Sequence, residues 1–295
     1  MLWVILAIIG AIANAAYYII IKKYVKMLDL CILSAFGFIG GAFILFGLSA
    51  AQGFPVIGPG YWTAVLVSAA LNVISLLLIY SALSSSDLSL SMPMLSFTPA
   101  FLIGTSFIVL GELPSVIGIM GILIIVGGSY VLNISSEHEN LLDPVRSMFR
   151  NRASWYMLIV ALLFALSINY DKVGMENSNP VFGMSFTLLF IGIPLAGIGA
   201  ISKSRAKNLP HLVFDNLRPY CTPAILIAVF AAIEAVSINF AYTLQIVPYI
   251  IAIKRLAILI MVLYGIIVFK EREFRMRIAG ATMMVCGAVL IILFA

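Results

Sequence analysis

Charged residues are scarce in this sequence. Asp, Glu, Lys and Arg make up 10% of its 295 residues, whereas a soluble globular protein carries roughly 25%. Hydrophobic residues account for 63%, and they form repeated uncharged runs close to the ~20 residues that span a bilayer. This pattern excludes an ordinary soluble domain and predicts an all-α polytopic membrane protein.

Cysteine and histidine are also few, and neither follows the spacing of a site. Cys31, Cys221 and Cys286 lie in or beside separate apolar runs, so we expect neither a disulfide framework nor a metal site. His138 and His211 lie in separate polar stretches without metal-binding spacing. Because no Gly-rich phosphate loop and no Ser/His/Asp set is present, we expect no enzyme, no metal and no cofactor.

The apolar runs number ten. They fall near residues 2–21, 30–50, 61–82, 88–110, 114–132, 154–170, 180–201, 221–243, 246–269 and 274–294. The longest polar stretch, 133–153, follows the fifth run and divides the chain in half. It is predicted to be a cytoplasmic linker, either a short interfacial helix or a plain tether.

The basic residues lie mostly in the short stretches between these runs. The net charge is +5, but no continuous basic stripe exists, so we expect no nucleic-acid partner. With the N-terminus outside, the odd-numbered loops hold fourteen basic residues: Lys22, Lys23, Lys26, Arg146, Arg150, Arg152, Lys203, Arg205, Lys207, Arg218, Lys270, Arg272, Arg275 and Arg277. The even-numbered loops hold only Lys172. The positive-inside rule therefore predicts a plasma-membrane protein with both termini outside.

The two halves of the chain resemble each other. Three residues of the first half recur in the second at a constant offset of 159: Glu112, Gly121 and Gly128, as Glu271, Gly280 and Gly287. Lys22, which ends the first run, corresponds to Lys172, which ends the sixth. These matches predict two five-run repeats, residues 1–132 and 154–295. Because five is odd, the second repeat must enter the membrane from the opposite side, which is the inverted-repeat arrangement of many secondary transporters.

Two adjacent cations interrupt the ninth run. Lys254 and Arg255 lie near the middle of "IVPYIIAIKRLAILIMVLYG" (246–265), where each costs about 2.5–3.5 kcal/mol to insert. Glu234 is the only carboxylate predicted to lie deep inside any run. It precedes the turn near Gln245 by eleven residues, and the cations follow that turn by nine and ten. At ~1.5 Å per residue all three reach nearly the same depth.

We therefore expect Glu234 to pair with one of the two cations. Arg255 is the predicted partner, which leaves Lys254 for an anionic group of a substrate. Two cations and one anion leave a formal charge of +1. One alternative is a buried ionic lock, in which the second cation caps backbone carbonyls near Pro248. Another is that Glu234 carries a proton in coupled transport.

Further candidate substrate-binding residues are polar residues within the runs: Asn14, Tyr17, Tyr18, Ser68, Asn72, Ser91, Asn239 and Tyr242. Ser68 and Asn72, together with Ser75, follow i, i+4, i+7 spacing, which places them on one face of the third run. The alternative role for each of these residues is hydrogen bonding between helices.

Proline and small residues mark further features. Pro93 and Pro99 in the fourth run, and Pro248 in the ninth, each remove a backbone donor and predict a helix break. Irregular backbone at membrane depth usually lines a cavity. Gly37 and Gly41 predict a helix-packing face. Four charged residues at the ends of runs are expected to pin interfaces or gate access: Glu112, Asp171, Lys172 and Glu271.

Each half closes with a Glu before a Gly-containing final run, "GELPSVIGIMGILIIVGG" and "KEREFRMRIAGATMMVCG". With ten runs in two halves, the whole chain resembles the EamA-type members of the drug/metabolite transporter superfamily. The resemblance implies ten transmembrane helices around a central cavity, and transport, often export, of small metabolites. The Trp-Gly pair common in the first helix of that family is replaced here by "IANAAYY" (12–18).

The predicted function is a secondary transporter or facilitator that exports a small anionic or zwitterionic metabolite, such as an amino or organic acid, by alternating access. The sequence contains no motif of an ATP-binding domain, so we expect transport to run on a gradient or downhill. The alternatives are a flippase-like transporter of a phosphate-bearing lipid, and a membrane-embedded enzyme or assembly subunit. The expected partners are the substrate and the lipid bilayer, with the chain acting as a monomer or homodimer.

Overall fold

The computed structural model describes residues 1–24, 27–85, 92–133, 152–207, 218–260 and 274–294. These residues form ten α-helices and a 3₁₀ segment, and they contain no strand. The helices are α1 (Leu2–Tyr24), α2 (Leu30–Gln52), α3 (Tyr61–Ser85), α4 (Thr98–Leu110), α5 (Val116–Asn133), α6 (Arg152–Glu176), α7 (Ser185–Lys207), α8 (Arg218–Tyr242), α9 (Val247–Lys254) and α10 (Phe274–Phe294). The 3₁₀ segment, Met92–Phe97, leads directly into α4. The all-helical fold class is confirmed.

Several helices carry more apolar surface than the protein itself buries. Five are long and apolar enough to cross a membrane, judged by length and composition: Leu2–Ile21, Leu30–Gln52, Tyr61–Ile79, Ser154–Glu176 and Arg218–Tyr242. Only 28% to 56% of the most apolar part of each helix is buried, so wide apolar faces remain that require lipid rather than water. The chain is a multi-pass membrane protein.

Two helices differ from the predicted runs in ways that affect the site. α6 continues to Glu176, whereas the sixth run was predicted to end near residue 170. The charges of Asp171 and Lys172 do not end the helix, because both side chains find polar partners across the bundle. In the ninth run, regular helix ends at Lys254, a turn follows, and residues 257–260 are helical again.

The helices pack mainly in pairs. α5 lies along α10, α3 along α6, α1 along α8, and α2 along both α7 and α8. The shorter helices α4 and α9 contact each other, with α4 also against α6 and α9 against α1. The largest apolar core joins α4, α5, α9 and α10, through fully buried side chains such as Leu102, Ile122, Ile125, Ile250 and Met284.

Connections between helices gather at one end of the bundle, called the Glu112 end here: residues 53–60, 111–115, 177–184 and 243–246. Asn177 joins two of them, because its carbonyl accepts from the Gly58 N–H at 2.8 Å and its Oδ1 from the Gly60 N–H at 3.1 Å. The amide of Asn239 donates to the Pro180 carbonyl at 2.9 Å. These bonds hold the connections together.

The interface between α5 and α10 depends on glycine. A Cβ atom on Gly128 would lie 2.6 Å from the carbonyl oxygen of Gly280, and one on Gly121 would lie 2.9 Å from that of Gly287. No side-chain carbon fits at these distances. The two helices therefore approach through their backbones, as small residues allow in membrane proteins.

Glycine also shapes the interface between α2 and α8. A Cβ atom on Gly37 would lie 2.2 Å from Cγ2 of Ile227, and one on Gly41 would lie 3.3 Å from the carbonyl oxygen of Ala228. The predicted helix-packing face of these two glycines is confirmed.

Candidate functional site

Glu234 of α8 is held by side chains from two other helices. Its carboxylate forms an ion pair with the Lys254 ammonium of α9. The Asn14 amide of α1 donates to both carboxylate oxygens, at 3.1 and 3.2 Å. The side chains of Lys254 and Glu234 are 22% and 19% exposed, so the pair is partly open. The structure thus brings together three residues that the sequence predicts for the site.

The backbone tightens just after Lys254. The Ile258 N–H donates to the Arg255 carbonyl and the Leu259 N–H to the Leu256 carbonyl, both at 3.0 Å. These are i→i+3 hydrogen bonds, typical of a 3₁₀ turn, which at mid-helix often marks a functional position. The two cations therefore lie where α9 changes its winding.

The prediction that Arg255 pairs with Glu234 is wrong, because Lys254 is the partner. Adjacent helical residues point about 100° apart, and the rotation of α9 turns Lys254 toward α8. Arg255 lies within electrostatic range of the Tyr18 phenol on α1. No carboxylate of the described residues is within salt-bridge distance of Arg255. Of the two adjacent cations, Arg255 is therefore the one without an anionic partner among the described residues.

A second polar cluster joins α3 to α6. The Ser68 hydroxyl donates to the Asp171 carboxylate, and its oxygen lies 3.0 Å from Ser167 Oγ. The Asn72 amide donates to Ser167 Oγ at 2.5 Å and to the Ser68 carbonyl at 3.0 Å. The polar face predicted on α3 is therefore matched by a polar face on α6.

Asp171 belongs to the same electrostatic environment as the ion pair. It interacts with Lys254 and Glu234, and the Tyr242 phenol interacts with both carboxylates. The expectation that Glu234 is the only deep carboxylate is wrong, because α6 continues past residue 170. With Asp171 included, the two acidic and two basic groups sum to zero, and the predicted surplus of +1 disappears.

Sequence reasoning missed Ser167 and the inward position of Asp171, although a signal for both exists. The two residues are four apart, the spacing that marks Ser68 and Asn72 as one face of a helix. Applied to the sixth run, the same rule finds them.

Other predicted residues have partners away from the ion pair. The Tyr17 ring stacks on Phe38 of α2, with 5.9 Å between centroids. Asn239 is buried and bonded to the Pro180 carbonyl at the Glu112 end. Ser75 donates to the Leu71 carbonyl one turn earlier. These contacts tie helices together or satisfy local backbone.

Pro99 and Pro248 start helices and do not break them. Each occupies one of the first two positions of its helix, α4 or α9, where the missing N–H leaves no intrahelical bond unmade. The fourth run is nevertheless irregular, because the 3₁₀ segment containing Pro93 precedes α4. Some predictions fall outside the described residues: Ser91, Glu271 and the linker residues 134–151.

The first part of the chain matches a known protein family. Residues 1–134 match the model of the EamA-like transporter family. Over these residues the chain is similar to that family. The family predicted from the sequence is thereby confirmed over residues 1–134, and since the family is one of transporters, so is the prediction of no enzyme.

The fold of the chain is also found in a solved structure, described as "Crystal structure of protein". The likeness covers 98% of this chain and 99% of the other, with a TM-score of 0.77 and 13% identity. At that identity the likeness shows the fold alone. Because it extends over both halves, residues beyond 134 share this fold as well. No curated protein sequence matches the chain.

Glu112 joins three parts of the protein. One carboxylate oxygen pairs with the Lys172 ammonium of α6, and the other accepts from the Val247 N–H at 2.8 Å, in the first turn of α9. The Lys172 and Glu112 side chains are only 9% and 12% exposed. Glu112 and Lys172 thus pin an interface, which is one of the two roles predicted for them.

Replacing Glu112 is expected to destabilise the protein. Glu112→Ala leaves Lys172 without its nearly buried anion and Val247 without an acceptor, so we expect a loss of about 2–4 kcal/mol in the free energy of unfolding. Denaturant unfolding in detergent measures it. The matched control is Glu176→Ala, which removes an exposed carboxylate 3.7 Å from the same lysine and is expected to change stability by less than about 1 kcal/mol. Equal effects of the two variants would contradict the assignment.

Proposed function

We propose that this protein is a secondary transporter or facilitator of a small zwitterionic metabolite, such as an amino acid. The observation that carries the proposal is the charge pattern inside the bundle. Lys254 and Glu234 neutralise each other, whereas Arg255 and Asp171 have no ionic partner among the described residues. Ionisable groups inside a membrane are expensive and usually functional. A ligand with one carboxylate and one ammonium would supply both missing partners.

The two unpaired groups suit these roles chemically. A guanidinium binds a carboxylate through two parallel N–H···O bonds, so Arg255 is assigned to the substrate carboxylate. Asp171 is assigned to the substrate ammonium. A purely anionic substrate would pair with Arg255 but would leave Asp171 without a cation. The balance of charge therefore favours a zwitterion over an organic acid.

Alternating access between two inverted five-helix repeats, residues 1–132 and 154–295, is the proposed mechanism. Gly121 contacts Gly287 and Gly128 contacts Gly280. Replacing each glycine by its counterpart 159 positions away turns the first contact into the second. In the same way, the packing of α3 on α6 corresponds to that of α8 on α1. Both correspondences support a two-fold axis in the membrane plane. One chain then supplies both halves of the pathway.

In the proposed orientation the Glu112 end faces outward, with both termini outside the plasma membrane. The support is the bias of fourteen basic residues against one across the predicted loops. The contacts of Glu112 and Asn177 hold the connections at this end together.

The proposal is tested by ligand-dependent thermal stability of the purified protein. The ligands are a panel of amino acids, their amides, which lack the carboxylate, and their N-acetyl forms, which lack the ammonium. Because a ligand that binds only the folded state stabilises it by mass action, we expect the free amino acid to raise the melting temperature and both modified forms to fail. Arg255→Gln is expected to weaken binding about 10- to 100-fold, the effect of losing a charge-assisted hydrogen-bond pair.

The matched control is Lys23→Gln, which removes an exposed cation at the end of α1 and is expected to leave binding unchanged. If the N-acetyl forms stabilise the protein as strongly as the free amino acids, the ammonium is not recognised, and the substrate would be an anion and not a zwitterion. If no compound of the panel stabilises the protein, or if Arg255→Gln binds like the wild type, the assignment fails.

A further inference from the structure

Two carboxylates lie near one another inside the bundle, and their surroundings differ. Glu234 is held by the Lys254 ammonium and by two hydrogen bonds from Asn14. A proton added there would displace the lysine and break the ion pair. Asp171 accepts a hydrogen bond from Ser68, and no cation of the described residues is within salt-bridge distance of it. Of the two, Asp171 is the group that can take a proton without breaking an ion pair.

The hydroxyls beside Asp171 can serve both of its protonation states. Each hydroxyl has one hydrogen to donate and two lone pairs that accept. While Ser68 donates to the charged Asp171, Ser167 must donate to Ser68, because their oxygens are 3.0 Å apart. When Asp171 is protonated, its O–H donates to Ser68, and Ser68 turns to donate to Ser167. The Asn72 amide donates to Ser167 in both states.

We propose that Asp171 is the proton-binding residue of this transporter, with Ser68, Ser167 and Asn72 as the switchable hydrogen-bond chain that accommodates the bound and released proton. This extends the proposed transport function by naming its coupling site. The proton comes from water and adds to one Asp171 oxygen, without any covalent bond between heavy atoms being made or broken. The interior charge changes from zero to +1, which alters its affinity for a zwitterion.

The charged and titratable groups that face Asp171 are few. α8 contributes Glu234 and Tyr242, and α9 contributes Lys254. From α3 the contact is the Ser68 hydroxyl, and α4 carries no titratable side chain. On α6 itself, the neighbouring Lys172 is bound to Glu112. Lys254 and Glu234 cancel one another, so the charge that changes with pH in this group is that of Asp171.

The test is pH-difference infrared spectroscopy of the purified protein in potassium buffer, with no substrate present. We expect a carboxylic-acid C=O stretching band that is lost as the pH rises. The band should disappear in Asp171→Asn, whose amide cannot titrate but can still accept from Ser68. It should persist in the pair replacement Glu234→Gln with Lys254→Met, which removes both charges of the ion pair together. A band that survives in Asp171→Asn, or is lost in the pair replacement, would overturn the proposal.

A second variant keeps the proposal testable if Asp171→Asn does not fold. Ser68→Ala retains Asp171 and should keep the titrating band at a shifted frequency, because the acid loses its hydrogen-bond partner. An unshifted band in Ser68→Ala assigns the signal elsewhere and refutes the proposal. So does a band that follows the sodium concentration at constant pH, since a metal ion would then occupy the site. Because no substrate is used, a failure here is separate from a failure of the amino-acid binding assay.

Discussion

Gly128→Ala is expected to lower the free energy of unfolding by about 3 kcal/mol, although it adds a single methyl group. The new Cβ would lie 2.6 Å from the Gly280 carbonyl oxygen and 2.8 Å from both the Met283 Cβ and the Met284 nitrogen. Two of these three atoms belong to the backbone of α10, so no rotamer change can relieve the overlap. α10 would have to move away, which would open the interface that joins the two halves.

Gly104→Ala is the matched control for this experiment. Gly104 lies in α4, and an added Cβ there meets nothing within 4 Å. Because alanine has the higher helix propensity, the control should be neutral or stabilising by up to about 1 kcal/mol. Both variants are measured by denaturant unfolding in the same detergent. If Gly128→Ala is as stable as Gly104→Ala, the helices do not approach as closely as described.

Lys254→Met is expected to lower the free energy of unfolding by about 3 kcal/mol. The substitution removes the cation of the ion pair and leaves Glu234 charged inside the bundle, with only the Asn14 amide as its partner. A charge left unpaired inside a protein typically destabilises it by about 3–5 kcal/mol. We use the lower value because both side chains are about one-fifth exposed.

The double variant Lys254→Met with Glu234→Gln is expected to recover most of this loss, because neither residue then carries a charge. A double-mutant cycle measured by denaturant unfolding should give an interaction energy of at least about 2 kcal/mol. Lys23→Met, at an exposed position, serves as the control for loss of a cation. Additive effects of the two single substitutions would show that the ion pair does not hold α8 to α9.

Helix ends are predicted well from the sequence where they depend on contacts between residues close together in the chain. α1, α2 and α3 begin at residues 2, 30 and 61, as the apolar runs predict. At α2, for example, the Asp29 side chain accepts from the Ile32 N–H and caps the helix, a function that depends on four consecutive residues. The end of α6 was missed because Asp171 and Lys172 are stabilised by Ser68 and Glu112, about 100 and 60 residues away in the chain.

In the α8–α9 hairpin, the number of residues from the turn predicts the depth of a side chain but not the direction in which it points. Distances from the turn predict that Glu234 and the two cations share a depth, since the rise per residue of a helix is constant, and the ion pair confirms it. The choice between Lys254 and Arg255 depends on how α9 is rotated about its axis. That rotation follows from the packing of α9 against α1, α4 and α5, which no local pattern encodes.

The sequence by itself predicted an all-helical membrane protein that resembles EamA-type transporters, and it named Glu234, Lys254 and Asn14 as candidate binding residues, which the structure places in contact. Composition, run length and spacing suffice for this, because a bilayer imposes length and polarity on each segment separately. Only the tertiary structure decided that Lys254 is the paired cation, that Asp171 faces the same interior, and that the interior charge sums to zero. Electrostatic pairing depends on distances between helices, and those distances exist only after the helices have packed.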